Sequence, residues 1–289
     1  MKYLITGING QLGYDIIREL KLRGVPSKDI IGVGHKEMDI TDEKSVHQII
    51  TQVKPDVVFH NAAYTKVDLA EDNYEECYKA NSLGPKYIAE ACGEVDSKLI
   101  HISTDYVFNG RKDGFYVETD TPDPINVYGE TKYLGELNAM KNPRTYVVRI
   151  SWVFGINGNN FIKTMLRLSE NNKKVRVVND QIGSPTYTVD LSRLLVNMSK
   201  VDKYGIYHAT NEGICSWKEL AEYVFKSNGI DMEVEGIKTS EYKTKATRPM
   251  NSRMSKNKLE ENGFERLPDL HDAVDRYSME LKKQKILKK

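Results

Sequence analysis

Short unbroken apolar runs recur through the first half of the chain, and segments with an apolar stripe at helical spacing separate them. Runs without polar alternation are typical of parallel strands that are buried on both faces. The regular alternation of strand and helix predicts an α/β fold, a Rossmann-type doubly wound parallel sheet with right-handed crossovers. The predicted strands are Tyr3–Thr6, Ile30–Val33, Val57–Asn61, Leu99–Ser103 and Tyr146–Ile150, and the predicted helices include Glu43–Val53 and Tyr74–Cys92.

Beyond residue 150 the pattern is looser and predicts a smaller C-terminal lobe. We expect residues 1–150 to form the Rossmann domain, rejoined by parts of 187–210, and residues 151–289 to form mainly a substrate-binding lobe. That lobe would lie over the carboxyl ends of the strands, where open sheets bind ligands. Its predicted elements are helices at Asn160–Asn171, Val189–Ser199 and Trp217–Asn228, strands at Val175–Val178 and Tyr204–Ala209, a loop at Arg266–Asp269, and a final helix from about His271.

Three glycines, Gly7, Gly10 and Gly13, follow the first predicted strand and open an amphipathic helix. The first permits a tight turn, the second lets a pyrophosphate approach the backbone, and the third allows close packing of helix and strand. The helix N-terminus adds N–H groups and the positive end of a dipole. This spacing, G-x-x-G-x-x-G, predicts that residues 1–150 bind a dinucleotide such as NAD(P). A purely structural turn is the alternative.

The composition of the chain argues against nucleic acid and membrane as its partners. The net charge is +1 over 289 residues, which argues against nucleic acid as the main partner. The apolar runs are all shorter than the roughly 20 residues that cross a bilayer, so we expect no membrane partner. The three cysteines, Cys77, Cys92 and Cys215, lack the spacing of a metal site. They are expected to be reduced thiols in a cytoplasmic protein.

Tyr128 and Lys132 are four residues apart, which places both side chains on one face of a helix. Reduction of a ketone adds a hydride to carbon and a proton to oxygen. A phenol can donate that proton, and a nearby ammonium lowers its pKa from about 10. We therefore predict Tyr128 as the acid and Lys132 as the group that tunes it and binds the cofactor ribose. Thr104, after a predicted strand, would polarise the carbonyl; an incidental Tyr/Lys pair is the alternative.

The motifs together resemble the extended short-chain dehydrogenases/reductases, and the longer strings are similar to the dTDP-4-dehydrorhamnose reductases over almost the whole chain. That family reduces the 4-keto group of dTDP-4-dehydro-L-rhamnose with NAD(P)H and so supplies dTDP-L-rhamnose for cell-surface polysaccharide. The strings that carry the resemblance are Gly7-x-x-Gly10-x-x-Gly13, His60–Asp68 with Asn61-Ala62-Ala63, Ser103–Phe108, Asn126–Lys132, Gly158–Phe161, Asn179–Thr186 and Arg248–Arg253.

The resemblance implies a set of cofactor contacts. The glycine turn would meet the pyrophosphate, an Asp-x pair would meet the adenine ring, and the segment after the third strand would lie along the cofactor. These residues are Gly7, Gly10, Gln11, Leu12 and Gly13, then Asp39 and Ile40, then Ala62, Ala63, Tyr64 and Thr65, with Ser103, Tyr128 and Lys132 at the nicotinamide end.

The second predicted strand ends in His35 and Lys36, where NAD-preferring sites often carry an acid. These two side chains can tolerate or bind a 2′-phosphate, so we expect NADPH, with NADH as the alternative. Glu37 lies close enough to leave both open. An exposed loop without a cofactor role is the other interpretation of His35 and Lys36.

For the substrate, the resemblance implies a nucleotide sugar bound by a few polar side chains and one indole. Trp152 follows the fifth predicted strand, and an indole there can pack either on a sugar ring or in the core. A diphosphate favours cations, although any one of them could be a surface charge. The implied substrate residues are Val67, Thr104, Asp105, Trp152, Lys163 and Arg253, with Arg248 a weaker candidate.

Some members of the family bind Mg²⁺ at a dimer interface through acidic residues. This chain offers Asp15 and Asp190 but lacks the second acid of a pair at Thr188-Val189-Asp190. Because this chain has fewer hard oxygen ligands than those members, we predict that it binds no metal. A homodimer remains possible. Another nucleotide-sugar 4-reductase or epimerase, or a non-catalytic NADP-binding regulatory subunit on the same fold, are the competing functions.

Overall fold

The structure is a computed structural model that describes residues 1–287. Its strands are β1 (Tyr3–Thr6), β2 (Ile30–Val33), β3 (Val57–His60), β4 (Lys98–Thr104), β5 (Thr145–Ile150), β6 (Val153–Phe154), β7 (Lys174–Val178), β8 (Ile182–Gly183), β9 (Thr186–Tyr187), β10 (Gly205–His208), β11 (Asn211–Glu212), β12 (Cys215–Ser216), β13 (Glu233–Ile237) and β14 (Leu267–Asp269). Its helices are α1 (Gln11–Leu22), α2 (Glu43–Val53), α3 (Val67–Ala70), α4 (Tyr74–Tyr78), α5 (Gly84–Glu94), α6 (Val127–Ala139), α7 (Phe161–Leu168), α8 (Thr188–Met198), α9 (Trp217–Ser227), α10 (Asn257–Glu261) and α11 (Leu270–Leu287).

The central sheet has six parallel strands in the order β10-β5-β4-β3-β1-β2. Successive residues of β1 face opposite layers: Leu4 packs with α2 and α5, and Ile5 packs with α1 and α8. Both residues are fully buried, which explains why the strands lack polar alternation. The predicted doubly wound α/β fold is confirmed.

The region predicted as one helix over Tyr74–Cys92 is divided into α4, a π-helical turn at Lys79–Leu83, and α5. This turn lies against α6, where a Cβ placed on Gly135 would come within 2.0 Å of the carbonyl oxygen of Asn81. Only glycine allows the two helices to approach so closely. The π turn thereby brings Asn81 to the carboxyl end of the sheet.

The predicted strand near Tyr204 is β10, which pairs with β5 at the edge of the central sheet. The preceding helix, α8, packs against α1 in the same layer. The remaining C-terminal elements form a smaller region built of two-stranded ladders around α7, α9 and α11.

The prediction of a loop over Arg266–Asp269 is wrong at Leu267–Asp269, which forms β14 and pairs with β11. Pro268 cannot donate to a ladder, and it lies in an edge strand with a register shift, where proline is tolerated. Each strand of this ladder has only two or three residues, too few for a pattern in the sequence to reveal.

Cys77, Cys92 and Cys215 are buried free thiols. Across residues 1–287, no helix combines the length and apolar character that a bilayer crossing requires.

Candidate active site

A cleft of about 440 Å³ opens at the carboxyl ends of the central strands. The glycine turn forms one wall, and β4 and α6 form the floor. The residues that follow β5, where the smaller region begins, also line the cleft. The lining includes Gly7, Gly10, Gln11, Leu12, Gly13, Val67, Ser103, Thr104, Asp105, Tyr128, Lys132 and Trp152.

The glycine turn fits a dinucleotide phosphate because side chains have no room there. Gly7 has a φ of +67°, and a Cβ on Gly13 would lie 2.5 Å from the carbonyl oxygen of Gly7. The N-terminus of α1 follows directly, and its Gly10 N-cap makes no side-chain capping bond. These amides and the positive end of the helix dipole suit an anion.

A second cavity of about 730 Å³ continues from the glycine turn towards the end of β2. The two cavities share Gly7, Gly10, Asn61, Ala63 and Thr65. The lining of the second cavity also includes Ala62, Tyr64, His35, Asp39 and Ile40. An extended ligand with a pyrophosphate at its centre fits this shape.

At the end of β2, His35 has a side chain that is 80% exposed, and its Nδ1 lies 3.6 Å from Asp39 Oδ1. Lys36 is exposed and, within the described chain, lies outside the lining of both cavities. The Glu37 carboxylate accepts a hydrogen bond from the backbone amide of Gly34 at 2.8 Å. Glu37 therefore stabilises the loop.

Asn81 is a structural residue of the site that the sequence analysis did not identify. Its Oδ1 accepts from the amide of Tyr64 at 2.8 Å, and its Nδ2 donates to the carbonyl of Tyr64 at 3.0 Å. It thereby fixes the segment that lines the second cavity. The position of Asn81 depends on the π turn, and the sequence pattern does not distinguish a π turn from an ordinary helix.

Thr104 ends β4 and donates its hydroxyl proton to Asp105 Oδ1 at 3.0 Å, while its oxygen accepts from the amide of Tyr106. Ser252 donates to the other carboxylate oxygen, Oδ2, at 2.5 Å. Burial raises the pKa of Asp105 to about 6, and hydrogen bonds from Ser252 and Thr104 oppose that rise. The Thr104 proton is therefore directed at Asp105, and a substrate oxygen must compete for it.

Tyr128 lies in the first turn of α6, held by a close approach to the end of β4. A Cβ on Gly129 would lie 2.2 Å from the carbonyl oxygen of Tyr106, and the rings of Tyr106 and Tyr128 meet edge to face at 5.4 Å. Burial raises the pKa of the Tyr128 phenol, with a hydrogen bond to Thr104 opposing it and the charge of Asp105 adding to it. A protonated phenol is the form that donates a proton.

Lys132 is 3% exposed and donates to the carbonyl oxygen of Ile102 at 2.6 Å. Burial lowers its pKa to about 8, and the charge of Glu136 opposes that change. Glu136 itself forms a bidentate ion pair with Arg149 at 2.8 and 2.7 Å and accepts from Ser103 at 2.5 Å. This buried cluster fixes the end of β4 against α6.

Two of the cations expected at the substrate, Lys163 and Arg253, are bonded to neighbouring groups of the chain. Lys163 donates to the backbone carbonyls of Ile156 and Gly158 at 2.6 and 2.7 Å, and Arg253 donates through Nε to Asn251 at 2.8 Å. Among residues 1–287, neither side chain lines the cleft. Arg248 forms an ion pair with Asp68 at 2.6 Å.

The acids considered for Mg²⁺ have partners within the chain, with the exception of the buried Asp15 Oδ1, which makes no hydrogen bond to the described residues. Arg276 donates to both oxygens of Asp190 at 2.8 and 2.7 Å. Asp15 accepts from Thr188 at 2.5 Å, and burial raises its pKa to about 6. Across residues 1–287, no group of three or more His, Cys, Asp or Glu side chains is placed to hold a metal. These residues do not fit a magnesium site.

The parallel sheet, the glycine turn and the Tyr/Lys/Thr set are those of an NAD(P)-dependent oxidoreductase. The profile of the RmlD substrate binding domain family matches residues 1–283. The chain belongs to the dTDP-4-dehydrorhamnose reductase (RmlD) family of extended short-chain dehydrogenases/reductases, which are nucleotide-sugar reductases that use NAD(P)H.

The chain is 40% identical to a dTDP-4-dehydrorhamnose reductase of Aggregatibacter actinomycetemcomitans, over 90% of this chain and 92% of that protein. It is also 40% identical to the spore coat polysaccharide biosynthesis protein SpsK of Bacillus subtilis, over 91% and 92%. The crystal structure of a dTDP-4-dehydrorhamnose reductase from Bacillus anthracis, in complex with NADP, superposes with a TM-score of 0.93 at 40% identity. The superposition covers 97% of this chain and 100% of the Bacillus anthracis chain.

Proposed function

We propose that this protein reduces the 4-keto group of dTDP-4-dehydro-L-rhamnose to give dTDP-L-rhamnose, with NADPH as the reductant, for cell-surface polysaccharide. The observation that carries the proposal is the placement of Tyr128, Lys132 and Thr104 in one cleft beside the phosphate-binding turn. A protein that only binds the cofactor has no need of all three groups, so the set favours catalysis over a regulatory subunit.

The cofactor would lie across the two connected cavities and supply a hydride when bound. The glycine turn and the N-terminus of α1 would hold its pyrophosphate, and Asp39 and Ile40 would lie at its adenine. Lys132, already bonded to the carbonyl of Ile102, would hold the ribose near the nicotinamide.

Tyr128 would donate the proton that the ketone oxygen needs once carbon has been reduced. A phenol with an ordinary pKa of about 10 is already protonated at neutral pH, and burial raises the pKa of Tyr128 further. Tyr128 is therefore in the state that a proton donor requires at the start of a reductive cycle. Thr104 lies within hydrogen-bonding reach of Tyr128. It would share the developing charge on the oxygen after exchanging its bond to Asp105 for one to substrate.

The identity of the sugar is best tested with an assay that follows NADPH absorbance across a panel of nucleotide 4-keto sugars. We expect dTDP-4-dehydro-L-rhamnose to give the highest kcat/KM. The similarity to SpsK is as high as that to the reductases, so a clear preference for another 4-keto sugar would move the assignment to a different nucleotide-sugar reductase.

Cofactor preference can be tested at the end of β2. If His35 or Lys36 meets a 2′-phosphate, changing both to alanine should raise the KM for NADPH about tenfold or more, because a charge-assisted contact contributes about 1.5–3 kcal/mol. The KM for NADH should change little. Equal effects on both cofactors would reject the preference for NADPH at this position.

A further inference from the structure

The two tryptophans of the chain stack on each other at the wall of the active-site cleft. The rings of Trp152 and Trp217 are 3.8 Å apart and inclined by 14°. Trp152 lines the cleft, whereas Trp217, within the described residues, does not. Phe161 covers Trp217 at 4.7 Å with an interplanar angle of 52°. Three elements therefore meet in this stack: the end of β5, the start of α9 and the start of α7.

A hydrogen bond from the indole nitrogen of Trp217 fixes the rotation of the ring within its own plane. Its Nε1 donates to Gln181 Oε1 at 3.2 Å, and Gln181 Nε2 donates to the hydroxyl of Thr239 at 3.2 Å. The helix that carries Trp217 starts with a capping box between Ser216 and Glu219, which anchors its first turn. Trp217 is therefore a rigid support.

Trp152 needs a support because its backbone is strained. Its φ is +49°, a left-handed conformation that is unfavourable for a bulky residue. A Cβ on Gly183 would lie 2.9 Å from the edge of the Trp152 indole ring. Gly183 thus leaves space for the indole, and Trp217 covers one of its faces.

We propose that Trp217 is a positioning residue for sugar recognition: by stacking on Trp152, it holds that indole in its strained position in the cleft wall. This inference rests on the proposed function, because the ligand is the sugar of a nucleotide sugar. Within the described residues, Trp217 lines neither the cleft nor the second cavity, so we expect the cofactor and the nucleotide part of the substrate to bind without help from the stack. Loss of the stack should therefore weaken binding of the sugar selectively.

The experiment compares the wild-type protein with Trp217→Leu, Trp217→Phe and Gln181→Leu. Affinities are measured for three probes: dTDP-L-rhamnose, dTDP alone, and NADPH. Trp217→Leu should weaken binding of dTDP-L-rhamnose about two- to tenfold, the range that follows from the contribution of one aromatic pair, and should leave binding of dTDP and NADPH essentially unchanged. Trp217→Phe, which keeps a ring, should recover most of the loss.

Gln181→Leu keeps both indoles and removes only the bond that orients Trp217. It should reduce the exciton couplet of the two tryptophans in circular dichroism and weaken dTDP-L-rhamnose binding by a smaller factor. NADPH binding and thermal melting show whether Trp217→Leu is folded. If it is not, Gln181→Leu alone tests the proposal.

Equal weakening of dTDP and dTDP-L-rhamnose, or no weakening in either Trp217→Leu or Gln181→Leu, would overturn the role of Trp217. Failure of the proposed function gives a different result. In that case the wild-type protein itself binds dTDP-L-rhamnose no better than dTDP.

Discussion

Proton positions decide what Tyr128, Thr104 and Asp105 can do, and these positions depend on burial more than on residue type. The spacing of Tyr128 and Lys132 predicts that the lysine lowers the pKa of the phenol. In the structure, burial of the phenol raises that pKa, and the Lys132 ammonium donates to the carbonyl of Ile102. The phenol is protonated, which suits reduction, and the hydroxyl of Thr104 donates to Asp105 Oδ1.

Replacing Tyr128 with phenylalanine removes the hydroxyl and keeps the ring that packs on Tyr106. We expect kcat to fall roughly 10²-fold or more while the affinity for NADPH is retained. The matched control is Tyr133→Phe, which removes a hydroxyl from the same helix outside the cleft. Near-normal turnover by Tyr128→Phe would show that another group donates the proton.

The pKa of Asp105, raised to about 6 by burial, predicts an acid limb in the pH profile. The ionised carboxylate accepts from Ser252 and so holds that segment of the smaller region against the end of β4. Protonation weakens this bond, so kcat/KM should fall as pH drops through about 6. The Ser252 bond favours the ionised form, and Ser252→Ala should therefore move this limb to higher pH. Ser255→Ala is the control on the same segment. A limb that moves to lower pH in Ser252→Ala would contradict this role.

At the scale of elements, the approach of α6 to the π turn fixes the catalytic helix. Gly135 contacts the carbonyl of Asn81, and Asn81 in turn holds Tyr64. Gly93 in α5 provides the contrast, because a Cβ there would meet nothing within 4 Å. One helical glycine is thus required by packing, and the other is not.

The two glycines should respond in opposite directions to substitution by alanine. Overpacking at Gly135 should destabilise the fold by about 1–3 kcal/mol, whereas Gly93→Ala should stabilise it by about 0.5–1 kcal/mol through helix propensity. Thermal unfolding of both variants measures the difference. A melting temperature for Gly135→Ala at or above that of the wild type would show that the helices can separate at little cost.

The sequence predicted elements whose pattern is long and locally encoded, and it missed those that depend on distant partners. The central strands are apolar throughout because helices cover both faces, and that pattern is visible in residues such as Val57 and Val58. The π turn depends on glycine in another helix, and β14 depends on pairing with Asn211. Likewise, the motif around Thr104 was predictable, whereas its bond to Asp105 and the link to Ser252 required the fold.

At the scale of the whole molecule, polar contacts between the sheet and the smaller region build the cleft. Asn157 donates to the carbonyl oxygens of Asn9 and Gly10 in the glycine turn at 3.0 and 3.3 Å. Ser252 bonds Asp105 at the end of β4. The glycine turn and the end of β4 are therefore each fixed by a residue from beyond position 150.

The C-terminal helix is joined to α8 by the pair between Arg276 and Asp190, and this pair predicts independence from Mg²⁺. Both oxygens of Asp190 are already bonded by the guanidinium, and a metal would have to displace it. Mg²⁺ bound by few carboxylates keeps several waters and gains little in exchange. We expect full reductase activity, unchanged melting temperature and unchanged oligomeric state after treatment with EDTA. Activity that falls and is restored by Mg²⁺, or a dimer that dissociates with the chelator, would show that Asp190 exchanges Arg276 for a metal.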